Sequence, residues 1–593
     1  MKKKWNHKKR DMQKKEEKGI SFRISLIAVF FAFCFLLIAA KLIWLQVYRS
    51  PWLSEKAANQ YEKTLTVQGK RGIIYDRNRR EMAVSIDVVS AAAYPPRIKD
   101  TASVSETLGT VLGLDPRALR LRLISRRSFI WIKRQVTPDE EKAVRNLKLD
   151  GIDFIPEHSR FYPNRFIAAQ VLGFTGLDGH GLEGIEFYYD SYLKGGEVRY
   201  TVRKDALGKK LDAGQEKHAE NSGNDIILTI DRNIQYITEK VLKETVDEFS
   251  AKSGMALVME PSSGAVLAMA NVPLFNPNSF SRFNKFSWRN RCITDPFEPG
   301  STMKIFSAAA AIESGGCTSN TIFYCENGKY RIGKDDVHDT HAYGWLTLEK
   351  IIKYSSNIGA IKMGEMIGPE MLYRVLKNFG FGDKSGLDCP GETAGMLAPY
   401  ERWTKIDAGT IAYGHGISVS VLQLAAAVSA IANKGLLMKP YIVSAVCERN
   451  GEKIREFAPA AIRQAVSPQT AETVSKMMVG VTEEGGTGVR AALEGYTVCG
   501  KTGTSVKVDK KGEYTRDAYV ASFAGFAPRE NPRVTVVVVL DEPRGQHYGG
   551  LVAAPAFQKI VQEIFNYLNI PPKSKNEGLT AAGEKQRVVA QIR

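Results

Sequence analysis

Three short patterns hold the residue types needed for covalent catalysis by a serine: Ser301-Thr302-Met303-Lys304, Ser355-Ser356-Asn357 and Lys501-Thr502-Gly503-Thr504. A serine hydroxyl is a weak nucleophile until a neighbouring base takes its proton. A lysine is that base only where its surroundings disfavour its charge. Spacing i to i+3 puts the Lys304 amine one helical turn from the Ser301 hydroxyl, on the same face. Pro299-Gly300 precedes the serine, and Ile305-Phe306 and the run Ala308 to Ile312 follow Lys304, so Ser301 is predicted to begin a buried apolar helix. A helix N-terminus also aims unpaired backbone N–H groups at developing negative charge. Each pattern alone is weak, since S-x-x-K recurs at Ser191 to Lys194 and S-x-N at Ser222 to Asn224. Ser191 lies in a polar stretch ending in Gly195-Gly196, where an ordinary surface serine is the plain reading.

Other chemistries fit less well. Gly495 to Thr502 matches the phosphate-binding pattern G-x-x-x-x-G-K-[ST], and a hydrophobic run ending in Asp541-Glu542 mimics its metal-binding partner strand. A phosphate loop must lead straight into a helix. Here Lys501-Thr502 continues through Gly503 to Lys507 and then Asp509 to Glu513, which reads as a strand and a polar turn. No nucleotide is expected. His338 and His341 lie in a polar loop without a third ligand, so no metal and no cofactor are expected either. Of seven cysteines, Cys34 falls in an apolar run and Cys292, Cys317, Cys325, Cys389, Cys447 and Cys499 are scattered. Cys317 and Cys325 could close a small loop, but buried unpaired thiols are the stronger reading.

The elements around the patterns suggest how they are brought together. Ile226 to Ile230 reads as a strand, and Asp231 as the cap of a helix presenting Ile234, Ile237, Val241, Leu242 and Val246 on one face. Met255 to Met259 and Val266 to Ala270 read as a hairpin around Pro261-Ser262-Ser263-Gly264. Residues 301–484 are mostly helical, with examples at Val421 to Asn433 and Pro468 to Val481. Strands return at Thr497 to Thr504, Ala518 to Phe526 and Val534 to Leu540, and a last helix spans Ala554 to Leu568. Strands first and last with helices between predict an α+β fold whose antiparallel sheet is assembled from both ends. Residues 49–225 form a separate mixed module of turn-broken segments, with short helices at Asp115 to Ile124 and Pro138 to Leu147.

Length and charge place these modules in the cell. At 593 residues the chain exceeds one hydrophobic core, and 44% hydrophobic with 25% charged residues excludes fibrous and wholly disordered classes. The net charge is +18, of which residues 1–20 carry +6. That tail precedes an apolar run, Ile24 to Val47, whose first 17 residues hold a single polar side chain, Ser25, and which Lys41 interrupts near its far end. About 20 residues cross a 30 Å hydrocarbon layer. A cleaved signal peptide ending near Ala39-Ala40 fits less well, because the run exceeds a normal signal core. The basic flank keeps the N-terminus in the cytoplasm, so everything after about Tyr48 is extracytoplasmic, on the periplasmic side. The charge is then a topological signal, and no nucleic acid is expected.

With these residues in view, the chain resembles the class B penicillin-binding proteins, the membrane-anchored peptidoglycan transpeptidases. The resemblance runs from the anchor to about Leu568. It includes Arg71-Gly72-Ile73-Ile74-Tyr75-Asp76-Arg77-Asn78, Gly181-Leu182-Glu183-Gly184-Ile185-Glu186, Ala268-Met269-Ala270-Asn271 and Asn290-Arg291-Cys292-Ile293-Thr294-Asp295. The block Phe297-Glu298-Pro299-Gly300-Ser301-Thr302 is similar to the cell-division (septal) branch. The resemblance implies that Ser301 is the acylated nucleophile, Lys304 its base, Ser355 a proton relay and Asn357 a holder of the substrate carbonyl. Lys501, Thr502 and Thr504 would bind the terminal carboxylate of D-Ala-D-Ala, with Gly503 allowing close approach and the Ser301 and Thr504 N–H groups forming an oxyanion hole. Arg79-Arg80 stands where a glycine is usual, and Ser420-Val421 replaces a frequent Thr-Pro.

The expected organisation is a basic tail (1–21), a transmembrane helix (22–47), a pedestal resembling a dimerisation module (48–224), a transpeptidase domain (225–570) and a disordered tail (571–593). Expected partners are peptidoglycan stem peptides, β-lactams, a glycan polymerase in the membrane and division proteins. A D,D-carboxypeptidase or β-lactamase would use water as the acceptor, and a non-catalytic β-lactam sensor or division scaffold would have no turnover.

Overall fold

The computed structural model describes residues 2–53, 56, 62–204, 210–214, 222–332, 335–508 and 514–573. Residues 1–67 and 197–220 form one compact unit and the rest of the chain a second. In the first unit a helix runs from Lys2 to Ile43 and continues as a π-helical turn, Trp44–Tyr48. Its stretch Gly19–Tyr48 is long and apolar enough to cross a membrane, and none of its most apolar window is buried by protein. At the far end the Lys41 ammonium and the Arg49 guanidinium lie 4.3 and 4.6 Å from the Trp44 ring. Amphipathic groups of this kind suit the depth of the lipid headgroups. Strands Glu62–Gln68, Glu197–Lys204 and Lys210–Gly214 form a three-stranded sheet.

In the second unit the pedestal is built on Glu81–Ala93, a 13-residue strand flanked by Ile130–Val136 and Ile152–Phe161. The two expected helices are present at Pro116–Leu123, capped by Asp115, and Pro138–Asn146, where Thr137 and Glu140 form a capping box. A third helix, Thr101–Leu112, went unanticipated because its Ser/Thr-rich sequence has low intrinsic propensity. Leu108 and Leu112 pack it onto Leu119 and Ile132, which supplies what propensity does not.

Arg71 joins the two ends of the pedestal. Its Nε lies 2.5 Å from Glu186 Oε2, and its Nη1 lies 2.5 Å from Asp190 Oδ1. Arg160 Nε binds the other Glu186 oxygen at 2.6 Å, and the Glu186 carboxylate is fully buried. Burial lowers the Arg71 pKa, but Glu186 and Asp190 outweigh it, so the charge is held more firmly than in water.

Strand Asp225–Leu228 was expected in the catalytic sheet. Instead it runs parallel to Ile74–Tyr75 of the pedestal and antiparallel to Val443–Cys447 of the catalytic half. A seven-stranded sheet thus draws on both modules. All four of its residues are buried, and a strand covered on both faces does not record in its sequence which sheet it joins.

The catalytic sheet consists of β1 (Ser253–Met259), β2 (Val266–Val272), β3 (Cys499–Val508), β4 (Tyr514–Ala527) and β5 (Val534–Asp541). Its order is β2-β1-β5-β4-β3, antiparallel throughout, so strands from both ends of the domain do combine as expected. Alternation assigns its faces. Ala256, Val258, Val536 and Val538 pack with Ile234 and Phe557, whereas Met255, Leu257, Val537 and Val539 pack with Leu424 and Val428. The first face is covered by the Asp231-capped helix Arg232–Glu248 and by the final helix; the second is covered by Val421–Ala432.

The final helix begins at Gly549, not at Ala554, and keeps Pro555 in its interior. A β-carbon on Gly549 would stand 2.2 Å from the Ser522 carbonyl oxygen, so only glycine lets the helix start against the sheet. At the other end, the backbone remains tied down to Lys573, whose N–H donates to the Gly495 carbonyl. Residues 574–593 of the expected disordered tail lie outside the described residues, as does the polar turn 509–513. The six cysteines beyond Cys34 are free and buried, so Cys317 and Cys325 form no disulfide.

Candidate active site

Ser301 lies in a 3-10 turn, Gly300–Met303, that leads into α1 (Lys304–Glu313). In a 3-10 turn residues i and i+3 eclipse, which aligns Ser301 with Lys304. Two glycines make this turn possible. Gly300 has φ +52°, and its N–H donates to the Gly414 carbonyl at 3.1 Å. A β-carbon on Gly414 would stand 2.0 Å from the Gly300 oxygen. On the other side lies β3, the edge strand of the sheet, whose free edge can take an extended peptide. A β-carbon on Gly503 would stand 2.3 Å from Ser522 Oγ and 2.8 Å from the Pro299 oxygen. The glycine therefore lets the strand approach the serine turn itself.

Ser355 and Asn357 come from the junction of α2 (Leu348–Tyr354) and α3 (Asn357–Ile367). Ser355 closes α2 in the left-handed region at φ +61°, unfavourable for a residue with a β-carbon. Asp339 holds the junction: it accepts from Ser356 Oγ at 2.6 Å, from the Ile358 N–H at 3.1 Å and from the Asn357 N–H. The Asn357 amide donates to the His338 carbonyl at 3.0 Å. His338, considered above as a metal ligand, thus serves the motif through its backbone.

Two fully buried lysines meet at Ser355. Lys304 Nζ lies 2.6 Å from the Ser355 carbonyl, 2.7 Å from Asn357 Oδ1 and 3.2 Å from Ser355 Oγ. Lys501 Nζ reaches the same hydroxyl at 2.9 Å. Burial lowers the Lys304 pKa to about 7, with Asp339 and Cys325 resisting the shift. Burial also lowers the Lys501 pKa, and the Lys304 charge adds to it. A neutral lysine has two N–H groups and a lone pair, so Lys304 can satisfy two acceptors and still take a proton. Thr502 Oγ1 donates to Thr487 Oγ1 at 3.0 Å, and Thr504 Oγ1 accepts from the Gly549 N–H at 3.1 Å.

A cavity of about 460 Å³ opens onto this group, lined by Ser301, Ser355, Asn357, Thr502 and Thr504. All eight residues singled out from the sequence converge here: six at or beside the cavity and two as the lysines beneath it. The look-alike Ser191 is exposed on the pedestal, and Ser222 accepts from Arg449. The sequence reading missed Asp339, Thr487 and the pair Tyr413 and His415, which also line the cleft or brace it. His415 Nδ1 lies 3.1 Å from Glu298 Oε2 and 3.3 Å from the Tyr514 hydroxyl. The glycines bracketing His415 were the available signal.

The model of the penicillin-binding protein transpeptidase domain matches residues 254–562, and that of the penicillin-binding protein dimerisation domain matches residues 66–228. The chain is 36% identical over 572 residues to the probable peptidoglycan D,D-transpeptidase PenA of Neisseria meningitidis, covering 95% of each chain. It is 33% identical over 587 residues to the peptidoglycan D,D-transpeptidase FtsI of Escherichia coli K12, covering 96% of this chain and 97% of that one. Among solved structures, penicillin-binding protein 3 of Mycobacterium tuberculosis in complex with aztreonam superposes with a TM-score of 0.67 at 28% identity, covering 86% of this chain and 98% of that one. With both domain models matched in order and relatives above 30% identity along nearly the whole length, the chain belongs to the class B penicillin-binding proteins.

Proposed function

We propose that the protein is a serine-type peptidoglycan D,D-transpeptidase that cross-links stem peptides at the division septum. Its N-terminus lies in the cytoplasm and its catalytic domain outside the membrane. The observation that carries this reading is the convergence of two buried, charge-disfavoured lysines on one hydroxyl beside Ser301.

The residues then take these roles. Lys304, neutral, accepts the Ser301 proton as Oγ attacks the carbonyl of the penultimate D-Ala. The Ser301 and Thr504 N–H groups stabilise the oxyanion. Lys501, Thr502 and Thr504 hold the terminal carboxylate, whose negative charge restores the proton on Lys501. That cation in turn keeps Lys304 neutral at the moment it must act. Ser355, hydrogen-bonded to both lysines, passes a proton to the departing D-Ala nitrogen. Asn357 fixes the peptide carbonyl of the donor. An amine of a second stem peptide then attacks the acyl-serine, forming the cross-link and releasing Ser301. β-Lactams acylate the same serine. A membrane glycan polymerase and division proteins supply the polymer and the location.

The test is labelling with a fluorescent penicillin. Wild type labels covalently and Ser301→Ala does not; equal labelling of both would sink the assignment. With a stem-peptide substrate and a D-amino-acid acceptor, transfer product should exceed hydrolysis product, and hydrolysis alone would mark a carboxypeptidase.

A further inference from the structure

A second cavity, also of about 460 Å³, lies at the junction of the pedestal and the catalytic half. It is lined by Tyr188, Tyr189 and Tyr192 on one side and by Tyr441, Arg455 and Phe457 on the other, and it shares no residue with the Ser301 cavity. Its size falls within the range of about 300–1,000 Å³ usual for small-ligand sites.

The walls are aromatic and the floor is fixed. Ring centroids of Tyr189 lie 5.2 Å from Tyr188, 6.1 Å from Tyr192 and 6.3 Å from Phe457. The buried Tyr189 hydroxyl donates to Asp388 Oδ2 at 2.9 Å. The same carboxylate accepts from the Ile442 N–H at 2.7 Å and the Val443 N–H at 2.9 Å. Tyr189 therefore cannot swing to fill the slot. At the mouth the side chains are exposed and of both signs: Lys439, Arg455 and Glu456, with the Arg455 guanidinium 4.7 Å over the Phe457 ring. Tyr188 is 49% exposed.

This lining selects a chemistry. Flat aromatic faces bury the C–H face of a saturated ring, and hydroxyl, ammonium, guanidinium and carboxylate groups around them exchange hydrogen bonds with ring hydroxyls. A purely apolar ligand would strip water from Lys439, Arg455 and Glu456 without replacing it. An ionic ligand would meet charges of both signs. A neutral polyhydroxylated ring meets neither penalty. We propose that this cavity is a saccharide site that takes one or two N-acetylated pyranose units of the wall glycan. The proposal rests on the cell-wall reading above, since that glycan carries the stem peptides the active site would use.

The experiment is saturation-transfer-difference NMR with the full chain in phospholipid nanodiscs, which avoid sugar-headed detergents. The probe is the neutral disaccharide of two β-1,4-linked N-acetylglucosamine units, which carries no ionisable group. Transfer to the pyranose protons is expected, and it should persist after penicillin has acylated Ser301. Tyr188→Ala and Arg455→Ala should each weaken binding about ten-fold, as loss of a stacking or hydrogen-bonding anchor does. Both variants should still acylate with penicillin at the wild-type rate, which confirms that they fold. No transfer to wild type, equal transfer to the variants, or loss of transfer on acylation would each overturn the proposal. Failure of wild type to acylate at all would instead overturn the transpeptidase reading.

Discussion

Around Arg71 buried charges alternate in sign, and around Ser355 they repeat it. In the pedestal, the Arg71 and Arg160 guanidinium groups enclose the Glu186 carboxylate, with Asp190 as a fourth member. Each charge there is matched, and both the Arg71 guanidinium and the Asp190 carboxylate are held in the charged form. In the catalytic domain, two lysines of equal burial share one hydroxyl, and both are pushed toward the neutral form. Matched charges stabilise a fold and do little else. Unmatched ones cost stability and remain reactive, which is why perturbed groups gather at functional sites.

The contrast can be broken from either side. Lys304→Met should cut penicillin acylation about ten-thousand-fold, the upper range for a lost general base, while the melting temperature holds or rises. Arg71→Met should do the reverse. Leaving Glu186 with one cationic partner should cost about 3–5 kcal/mol in a denaturant titration, with the acylation rate of the folded fraction changed by less than about two-fold. A destabilised Lys304→Met or an inactive folded Arg71→Met would erase the distinction.

The pH dependence sharpens it further. Acylation requires neutral Lys304, so its rate should fall about ten-fold per unit below pH 7 and level off above it. Stability should follow the same sign. The folded state releases the Lys304 proton near pH 7, while the unfolded chain keeps it up to its ordinary value of 10.5. The unfolded state then binds more protons between those values, so stability rises with pH across that window, and Lys304→Met should flatten the rise in denaturation midpoint. The smallest effect belongs to the pedestal. Arg79 is exposed at φ +58°, in the turn closed by the Arg79 N–H donating to the Asp76 carbonyl. Arg79→Gly should raise stability by about 0.5–1 kcal/mol and leave acylation untouched.

That turn also shows what the sequence could and could not tell. Arg79 stood out as a departure from the family's glycine, and the positive φ is the reason glycine suits the position. The three catalytic patterns were readable because each is local: a turn, a helix junction and a strand. The charge pairing that ties Arg71 to Glu186 was visible only as two separate family motifs. Asn271 and Asn290 likewise belong to separate motifs, yet the Asn271 amide donates to Asn290 Oδ1 at 3.1 Å. Asp339 escaped notice because nothing in its polar loop marks Ser356, 17 residues on, as its partner, and His415 because Glu298 lies far back along the chain. Strand Asp225–Leu228 was recognised as a strand and assigned to the wrong sheet, because burial on both faces leaves its partner unspecified.

The strand's true place bears on how the protein is made. Its ladder joins Ile74 to Ile226 and Ile226 to Val446, while β1 waits for β5 near the far end of the chain. The seven-stranded sheet cannot close before Lys453–Glu456 is made, nor the five-stranded one before β5 ends at Asp541. A chain made from its N-terminus therefore passes through much of its synthesis with incomplete sheets and bare strand edges. Pairing across such long separations is slow, and open edges invite pairing with other chains. For this protein the hazardous interval lies between the synthesis of β1 and the arrival of β5, which closes its sheet.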